Sequence, residues 1–180
     1  DGKEQAQQNP DANGNAWFVN EIRYVQTADE EIIALDSLNT KEVAILRDYN
    51  PYGFEDSLKY NVDTLATIKL TEYSLNALSY DSFSNQNEFA VFSEIYYKDG
   101  WNAYIDGELK PHVSVNYVLR GIEIPAGNHN IEFKFEPKVI QTGSFISLIS
   151  YVLLLLIPIG CSLFKNIDLF SMIKNDKNSF

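Results

Sequence analysis

Cysteine and histidine are scarce in this chain of 180 residues, which holds one of the former and two of the latter. The lone Cys161 excludes a disulfide within the chain. His112 and His129 have no partner at metal-ligand or catalytic-triad spacing, and no glycine-rich phosphate loop or nucleophile motif is present. The sequence therefore predicts no metal, no cofactor and no catalytic residue here.

Basic residues are also scarce ahead of the apolar C-terminal region. Residues 1–138 hold 11 Lys and Arg against 23 Asp and Glu, a net charge of −12. Nucleic-acid binding rests largely on basic side chains that neutralise phosphates. The charge balance therefore excludes nucleic acid as an expected partner.

Charge disappears altogether between Lys138 and Lys165, a stretch of 26 residues. A helix rises about 1.5 Å per residue, so the 20 residues 145–164 alone cover roughly the 30 Å of a bilayer's hydrocarbon. A buried core helix is the alternative, but a domain of this size rarely hides every face of so long a helix. Residues 139–164 are therefore predicted to form a transmembrane helix in contact with membrane lipid.

The tail after the apolar run is basic, with three lysines against two aspartates in residues 165–180. Positive residues that flank a span tend to stay in the cytoplasm, so the tail is predicted to be cytoplasmic and the acidic region extracytoplasmic. Lys134 and Lys138 on the other flank reduce this asymmetry. Because the chain begins at Asp1 without Met, we expect it to be the C-terminal part of a longer protein.

Between these regions the pattern is that of short strands. Residues 1–15 are polar and read as a linker. Residues 16–138 carry seven or eight short strands with turn residues at about ten-residue intervals, which predicts an antiparallel β-sandwich of the jelly-roll or immunoglobulin-like kind. Trp17–Val25 is predicted as its first strand, and a capping box from Thr27 to Glu30 predicts one short helix ending near Leu38.

Several segments, taken together and in order, resemble the C-terminal end of YfhO-type bacterial membrane proteins. The resemblance covers most of the chain from about Asn13 and rests on Asn13–Val19, Ala90–Tyr97, Gly100–Gly107, Asn116–Gly121, Ile124–His129 and Ile131–Pro137.

The resemblance implies a large polytopic protein of the bacterial cytoplasmic membrane, whose upstream membrane helices would be partners of this chain. It is similar to GT-C-like membrane glycosyltransferases, which take sugar from a polyprenyl-phosphate carrier and decorate envelope glycans such as teichoic acids. Enzymes of that architecture place their catalytic acids in loops between early membrane helices. No catalytic residue is therefore carried over, and whether this fragment acts in an enzyme stays open.

Candidate contacts to a glycan or lipid-linked sugar come from aromatic and polar residues on the later strands. Aromatic rings can stack on a pyranose, carboxylates and amides can bond hydroxyls, and an arginine fork can bind phosphate or carboxylate. The candidates are Trp101, Tyr104, Asp106, Asn116 and Arg120, with Asn102 as an alternative to Asp106.

Each candidate also has a structural interpretation. Asp106–Gly107 is what a two-residue hairpin turn requires, bulky aromatics fill a sandwich core, and Arg120 could pair with an acid. The acidic side chains of Asp29–Glu31 would interact favourably with the helix dipole in the first turn. The alternative interpretation is that they bind a cation. Two hypotheses stay open. The β-sandwich is either an accessory domain that binds sugar, or a structural or protein-interaction domain that stabilises the bundle of membrane helices.

Overall fold

The computed structural model describes residues 9, 12–47, 53 and 57–176, with side chains as far as residue 160. The chain divides into two compact units, Asp1–Glu136 and Pro137–Phe180. Most of the predicted linker 1–15 and residues 177–180 of the predicted tail lie outside the described residues.

The first unit, called the β unit below, consists of short strands and one helix. In chain order these are β1 Ala16–Val19, β2 Glu21–Tyr24, α1 Ala28–Asp36, β3 Val43–Leu46, β4 Ser57–Lys59, β5 Thr67–Tyr73, β6 Ala77–Ser84, β7 Glu88–Ile95, β8 Trp101–Ile105, β9 Glu108–Lys110, β10 Val113–Val115, β11 Leu119–Ile124 and β12 Gly127–Phe135.

The strands form two sheets, which confirms the predicted mainly β fold. One sheet has the order β1-β7-β11-β10-β3-β2-β4 and the other the order β5-β6-β12-β8-β9. The described pairs are antiparallel except β2 with β3, which are parallel and joined through α1. A parallel pair needs such a crossover, because a hairpin cannot connect two strands that run in the same direction.

The prediction of one strand over Trp17–Val25 was wrong, because the structure breaks it at Asn20. β1 pairs with β7 at one edge of the larger sheet, whereas β2 pairs with β3 and β4 near the opposite edge. Only Asn20 separates the two strands, and two Cα–Cα steps span at most about 7.6 Å. The larger sheet must therefore curl until its opposite edges approach each other, as in a barrel.

This curling gives the β unit two apolar cores that share β7. Ala90 and Phe92 face a core between the two sheets, with Tyr80 and Phe133 in edge-to-face contact. Their neighbour Phe89 instead faces a core inside the rolled sheet. Strand β7 is thus buried on both faces over Glu88–Phe92.

Helix α1 begins as its sequence predicts and ends two residues before Leu38. The Thr27 side chain accepts from the Glu30 amide, while the Glu30 carboxylate accepts from the Thr27 amide. The next acid, Glu31, is buried and bonds Arg47 Nε at 2.8 Å and the Tyr117 amide at 2.7 Å. Glu31 thereby ties the helix to the turn that follows β10.

The second unit is one long helix, α2 Lys138–Asp176, which continues beyond the predicted end of the membrane segment at residue 164. Its stretch Lys138–Gly160 is long and apolar enough to cross a bilayer, with a mean hydropathy of 2.1. The large apolar side chains from Val139 to Ile159 are exposed, so the alternative of a buried core helix has no support. Which side of the membrane each unit faces stays a prediction.

Candidate functional site

A cleft of roughly 740 Å³ opens beside the edge of the smaller sheet. Its walls come from β8 and β9, from the segment that leads into β10, and from the turn after β7. The residues that line it are Tyr96, Lys98, Trp101, Asn102, Ala103, Leu109, Lys110, Pro111, His112 and Ser114.

The cleft forms where the chain crosses from one sheet to the other. Strand β9 pairs with β8 as far as Lys110, and Pro111, which has no amide hydrogen, follows where this pairing stops. The chain then joins the larger sheet at Val113. Residues from both sheets are thus brought against the start of β8, Trp101 and Asn102, which β9 leaves unpaired.

His112 forms a partly buried aromatic wall of this cleft. Its ring centroid lies 5.1 Å from that of Tyr96 and 5.8 Å from that of Phe133. Burial, with a smaller effect from the Arg120 cation, lowers the pKa of His112 to about 4. The imidazole is therefore neutral at physiological pH and acts as an aromatic group rather than as a cation.

Trp101 is the aromatic platform of the cleft, and one of its faces is already covered. The Arg120 guanidinium carbon lies 4.3 Å from the Trp101 ring centroid and 5.0 Å from that of Phe133. Arg120 is only 2% exposed, and its Nε donates to the Ile95 carbonyl at 2.9 Å. The Phe135 ring centroid lies 5.3 Å from that of Trp101. A sugar could therefore not stack on the face of Trp101 that Arg120 covers.

Tyr104 lies on the other face of β8 from Trp101, because side chains alternate along a strand. The Tyr104 hydroxyl donates to Glu136 Oε2 at 2.7 Å, and Asn102 Nδ2 donates to the same oxygen at 2.8 Å. These bonds lower the pKa of Glu136, and the bond to Glu136 raises the pKa of Tyr104. Lys134 Nζ lies 5.0 Å from the centre of the Tyr104 ring. Tyr104 therefore belongs to a polar network on the outer face of the smaller sheet.

Asp106 occupies the β8–β9 turn, as its sequence context predicts. Asp106 and Gly107 have φ angles of 52° and 80°, the pair of positive values that a type I′ hairpin turn requires. The Asp106 carboxylate contacts His129 Nδ1 at 2.6 Å and accepts from the Asn130 amide at 2.9 Å. These bonds lower the pKa of Asp106 and bind the turn to the start of β12.

Asn116 lies in the larger sheet, where it closes the turn between β10 and β11. Its φ is 49°, a left-handed conformation that asparagine tolerates better than most residues. The Asn116 Oδ1 atom accepts from the buried Ile45 amide at 2.8 Å, and the Asn116 amide donates to the Ile45 carbonyl at 2.9 Å. Asn116 therefore joins β3 to the β10–β11 turn.

Of the five candidates, the structure brings only Trp101 and Arg120 into contact, while Tyr104, Asp106 and Asn116 lie at three other places. As glycan contacts all five stay predictions. Sequence reasoning missed Lys98, Leu109, Lys110 and His112 as neighbours of Trp101. The one available signal was Pro111 between two short strands, which marks a break in pairing but not the direction of the crossing.

The cleft carries positive charge in a strongly acidic unit. Lys98 and Lys110 line it, and Lys110 Nζ lies 2.8 Å from Glu108 Oε2. Among the residues that the structure describes, no group of three or more His, Cys, Asp or Glu could hold a metal ion. In the acidic run of α1, Glu30 caps the helix and Glu31 pairs with Arg47, which accounts for these two carboxylates without a metal ion.

The fold and the long apolar helix together define a β-sandwich protein with one helix that could span a membrane. A model of the family described as "Bacterial membrane protein YfhO" matches residues 7–147, and the chain belongs to this family. The match includes the whole described β unit and the first turns of α2. Neither a curated protein nor a solved structure matches the chain.

Proposed function

We propose that the β unit is the extracytoplasmic accessory domain of a polytopic membrane protein that transfers sugar from a polyprenyl-phosphate carrier to an envelope glycan. In this proposal the cleft beside Trp101 holds part of the glycan or of the lipid-linked sugar. Membership of a bacterial membrane protein family supports the membrane setting. The basic residues after the apolar run support a cytoplasmic tail, and hence an extracytoplasmic β unit.

The lining of the cleft is the observation that carries the proposal. Trp101 presents an aromatic ring, and Lys98 and Lys110 present two ammonium groups, around one opening. Aromatic rings suit sugar faces, while ammonium groups bind phosphate as point charges. Envelope glycans joined by phosphate, and sugars on a phosphate carrier, combine these chemical groups.

In this proposal the transfer chemistry belongs to parts of the protein upstream of this chain. The β unit contributes binding and orientation, which raise the rate of transfer by holding the acceptor or donor close to the reacting atoms.

A structural brace is the second candidate function, and a specific observation favours it. Tyr104, Asp106, Asn116 and Arg120 are all hydrogen-bonded within the β unit. Hydrogen bonds of this kind rigidify a fold without a ligand, although Asn116 Nδ2 and Arg120 Nη1 are buried with no hydrogen-bond partner among the described residues. In that case the sandwich stabilises the bundle of membrane helices and contacts no sugar.

Tryptophan fluorescence separates the two candidates, because Trp17 and Trp101 are the two tryptophans of the chain. Trp17→Phe leaves Trp101 as a single reporter in the cleft. The chain would be reconstituted in nanodiscs and titrated with a glycerol-phosphate oligomer and with a neutral oligosaccharide of similar size. Saturable change in Trp101 emission with the phosphate-bearing oligomer is the expected result.

Two lysine pairs provide the matched comparison for this titration. Lys98→Ala with Lys110→Ala removes the ammonium groups of the cleft, whereas Lys41→Ala with Lys69→Ala removes the same charge outside it. We expect the first pair to weaken binding at least tenfold and the second pair to leave it within about twofold, since each lost charge-assisted contact costs about 1.5–3 kcal/mol. Unchanged emission with every glycan tested would favour the brace.

A further inference from the structure

One end of the β unit carries a set of exposed apolar and aromatic side chains, which we call the apolar rim. Leu75 is 93% exposed and Ile95 is 70% exposed, and the other members are also exposed. The rim consists of Tyr73, Leu75, Ile95, Tyr97, Tyr117 and Val118.

Backbone hydrogen bonds show that three separate turns meet at this end. The Tyr96 amide donates to the Val118 carbonyl at 2.7 Å, which joins the turn after β7 to the turn after β10. The Phe135 amide donates to the Asn76 carbonyl at 2.9 Å, which joins the β5–β6 turn to the end of β12. The rim thus surrounds the end of β12.

The chain leaves the β unit at this same end. The Glu136 amide donates to the Gly100 carbonyl at 2.7 Å, so the last residue of the unit is bonded to the turn after β7. Gly100 is also where Tyr97 and Phe135 meet, because a Cβ added there would lie 2.5 Å from the Tyr97 ring and 2.4 Å from the Phe135 ring.

The opposite end of the β unit has a different composition. Its connections are Ser84–Asn87, the Asp106–Gly107 turn and Pro125–Ala126, and polar turn residues of this kind are the rule where a turn faces water. Hydrogen bonds from Asn85 and Leu65 to Asp63 order this end. Leu65, which is 65% exposed, is its exposed large apolar side chain. The end that bears the apolar rim and the opposite, polar end are therefore suited to different environments.

Chain connectivity identifies what surrounds the apolar rim. Pro137 alone separates Glu136 from Lys138, where the candidate membrane span begins. The helix from Lys138 to Phe145 adds about 10 Å, and each interfacial layer of a bilayer is roughly 5–8 Å thick. The covalent connection therefore keeps the end that bears the rim within reach of the lipid headgroups.

The chemistry of the rim fits that layer. Tyrosine is enriched at membrane–water interfaces because its ring is apolar and its hydroxyl is polar, and the rim has three tyrosines and three aliphatic residues. An apolar patch rimmed by polar surface marks a membrane or protein contact. We propose that the apolar rim inserts into the lipid interface and holds this end of the β unit against the bilayer.

Depth-dependent quenching tests this proposal with the full chain. On a Cys161→Ser background, Leu75→Cys or Leu65→Cys introduces a single cysteine for an environment-sensitive fluorophore at the rim or at the opposite end. Both positions are exposed, so the label should not disturb the fold. Each labelled chain would be reconstituted in phosphatidylcholine–phosphatidylglycerol vesicles and quenched either by lipids with a shallow nitroxide or by iodide in the water.

We expect the label at position 75 to be quenched by the nitroxide lipid and to be at least threefold less accessible to iodide than the label at position 65. Equal iodide accessibility at the two positions would overturn the proposal. Protection from iodide at position 75 without quenching by nitroxide lipid would also overturn it, because a protein surface would then cover the rim. Dilution with unlabelled chain would show whether that surface is a second copy.

Discussion

The guanidinium of Arg120 lies over the ring of Trp101, with its carbon 4.3 Å from the ring centroid. Each residue stands in a different sheet, since Arg120 belongs to β11 and Trp101 to β8. A cation over an indole face is worth about 2 kcal/mol where water is excluded. The contact therefore joins the two sheets at the cleft and covers one face of Trp101.

Replacing Arg120 should destabilise the β unit. Arg120→Ala removes the contact with Trp101, the bond to the Ile95 carbonyl and the packing of the aliphatic stem, while relief of the burial that lowers the pKa of Arg120 offsets part of the loss. We expect a loss of about 1–3 kcal/mol in the free energy of unfolding, measured by denaturant titration followed by near-UV circular dichroism. Arg23→Ala, a partly exposed arginine, should change it by less than about 0.5 kcal/mol.

His112 should make the stability depend on pH in a defined window. Its pKa is about 4 in the folded chain and about 6.5 when unfolded, so the unfolded state binds more protons between these values. This contribution is fully present above about pH 6.5 and is lost as the pH falls towards 4, by about 3 kcal/mol at most. Unfolding would be measured across this range for the wild-type chain and for His112→Phe.

The comparison of the two chains cancels the titration of other groups, such as the partly buried Glu123, whose pKa is raised by desolvation. The difference in stability between wild type and His112→Phe should change steadily from pH 6.5 to pH 4. A constant difference would contradict the buried, neutral imidazole.

Gly121 should tolerate no side chain, because Phe89 packs directly against its backbone. A Cβ at Gly121 would lie 2.5 Å from Phe89 Cζ and 3.0 Å from Val115 Cγ1. We expect Gly121→Ala to lower the free energy of unfolding of the β unit by about 1–3 kcal/mol through overpacking. Gly143→Ala, where a Cβ meets nothing within 4 Å, is the matched control and should leave that transition unchanged.

Asn116 should stabilise the β unit through its side-chain oxygen and its backbone conformation. Asn116→Ala leaves the buried Ile45 amide without its acceptor and forces alanine into a φ of 49°, at a combined cost of about 2–3 kcal/mol. Asn116→Gly also removes the side-chain oxygen, but glycine adopts a positive φ without strain. Its loss in the free energy of unfolding should therefore be about 1 kcal/mol smaller than that of Asn116→Ala. Hydrogen exchange of the Ile45 amide should accelerate in both variants, and unchanged protection in Asn116→Ala would exclude this role.

Local patterns in the sequence predicted much of the fold. The Thr27–Glu30 capping box and the Asp106–Gly107 turn both depend on interactions between residues close in the chain, and the structure confirms both of them. The apolar run after Lys138 was equally clear, because length and missing charge identify a candidate membrane span without reference to the rest of the chain.

The features of the fold and of the cleft that the sequence did not predict depend on contacts between distant segments. The strand breaks at Asn20 because β1 pairs with β7 whereas β2 pairs with β3. The local sequence of Trp17–Val25 indicates strand structure but not which strands it pairs with. The cleft likewise requires β9 to stop at Lys110 and the chain to cross to β10. Trp101 and Tyr104 were both predicted to contact a glycan. Their separation by three positions places their side chains on opposite faces of a strand.

The most direct test of the proposed function measures sugar transfer by the full-length protein with a polyprenyl-phosphate donor. Wild type would be compared with Trp101→Ala and with Leu65→Ala, an exposed position outside the cleft, after near-UV circular dichroism and expression have shown that each variant is folded. We expect at least tenfold slower transfer for folded Trp101→Ala and unchanged transfer for Leu65→Ala. Full activity of Trp101→Ala would contradict a role of the cleft in substrate handling.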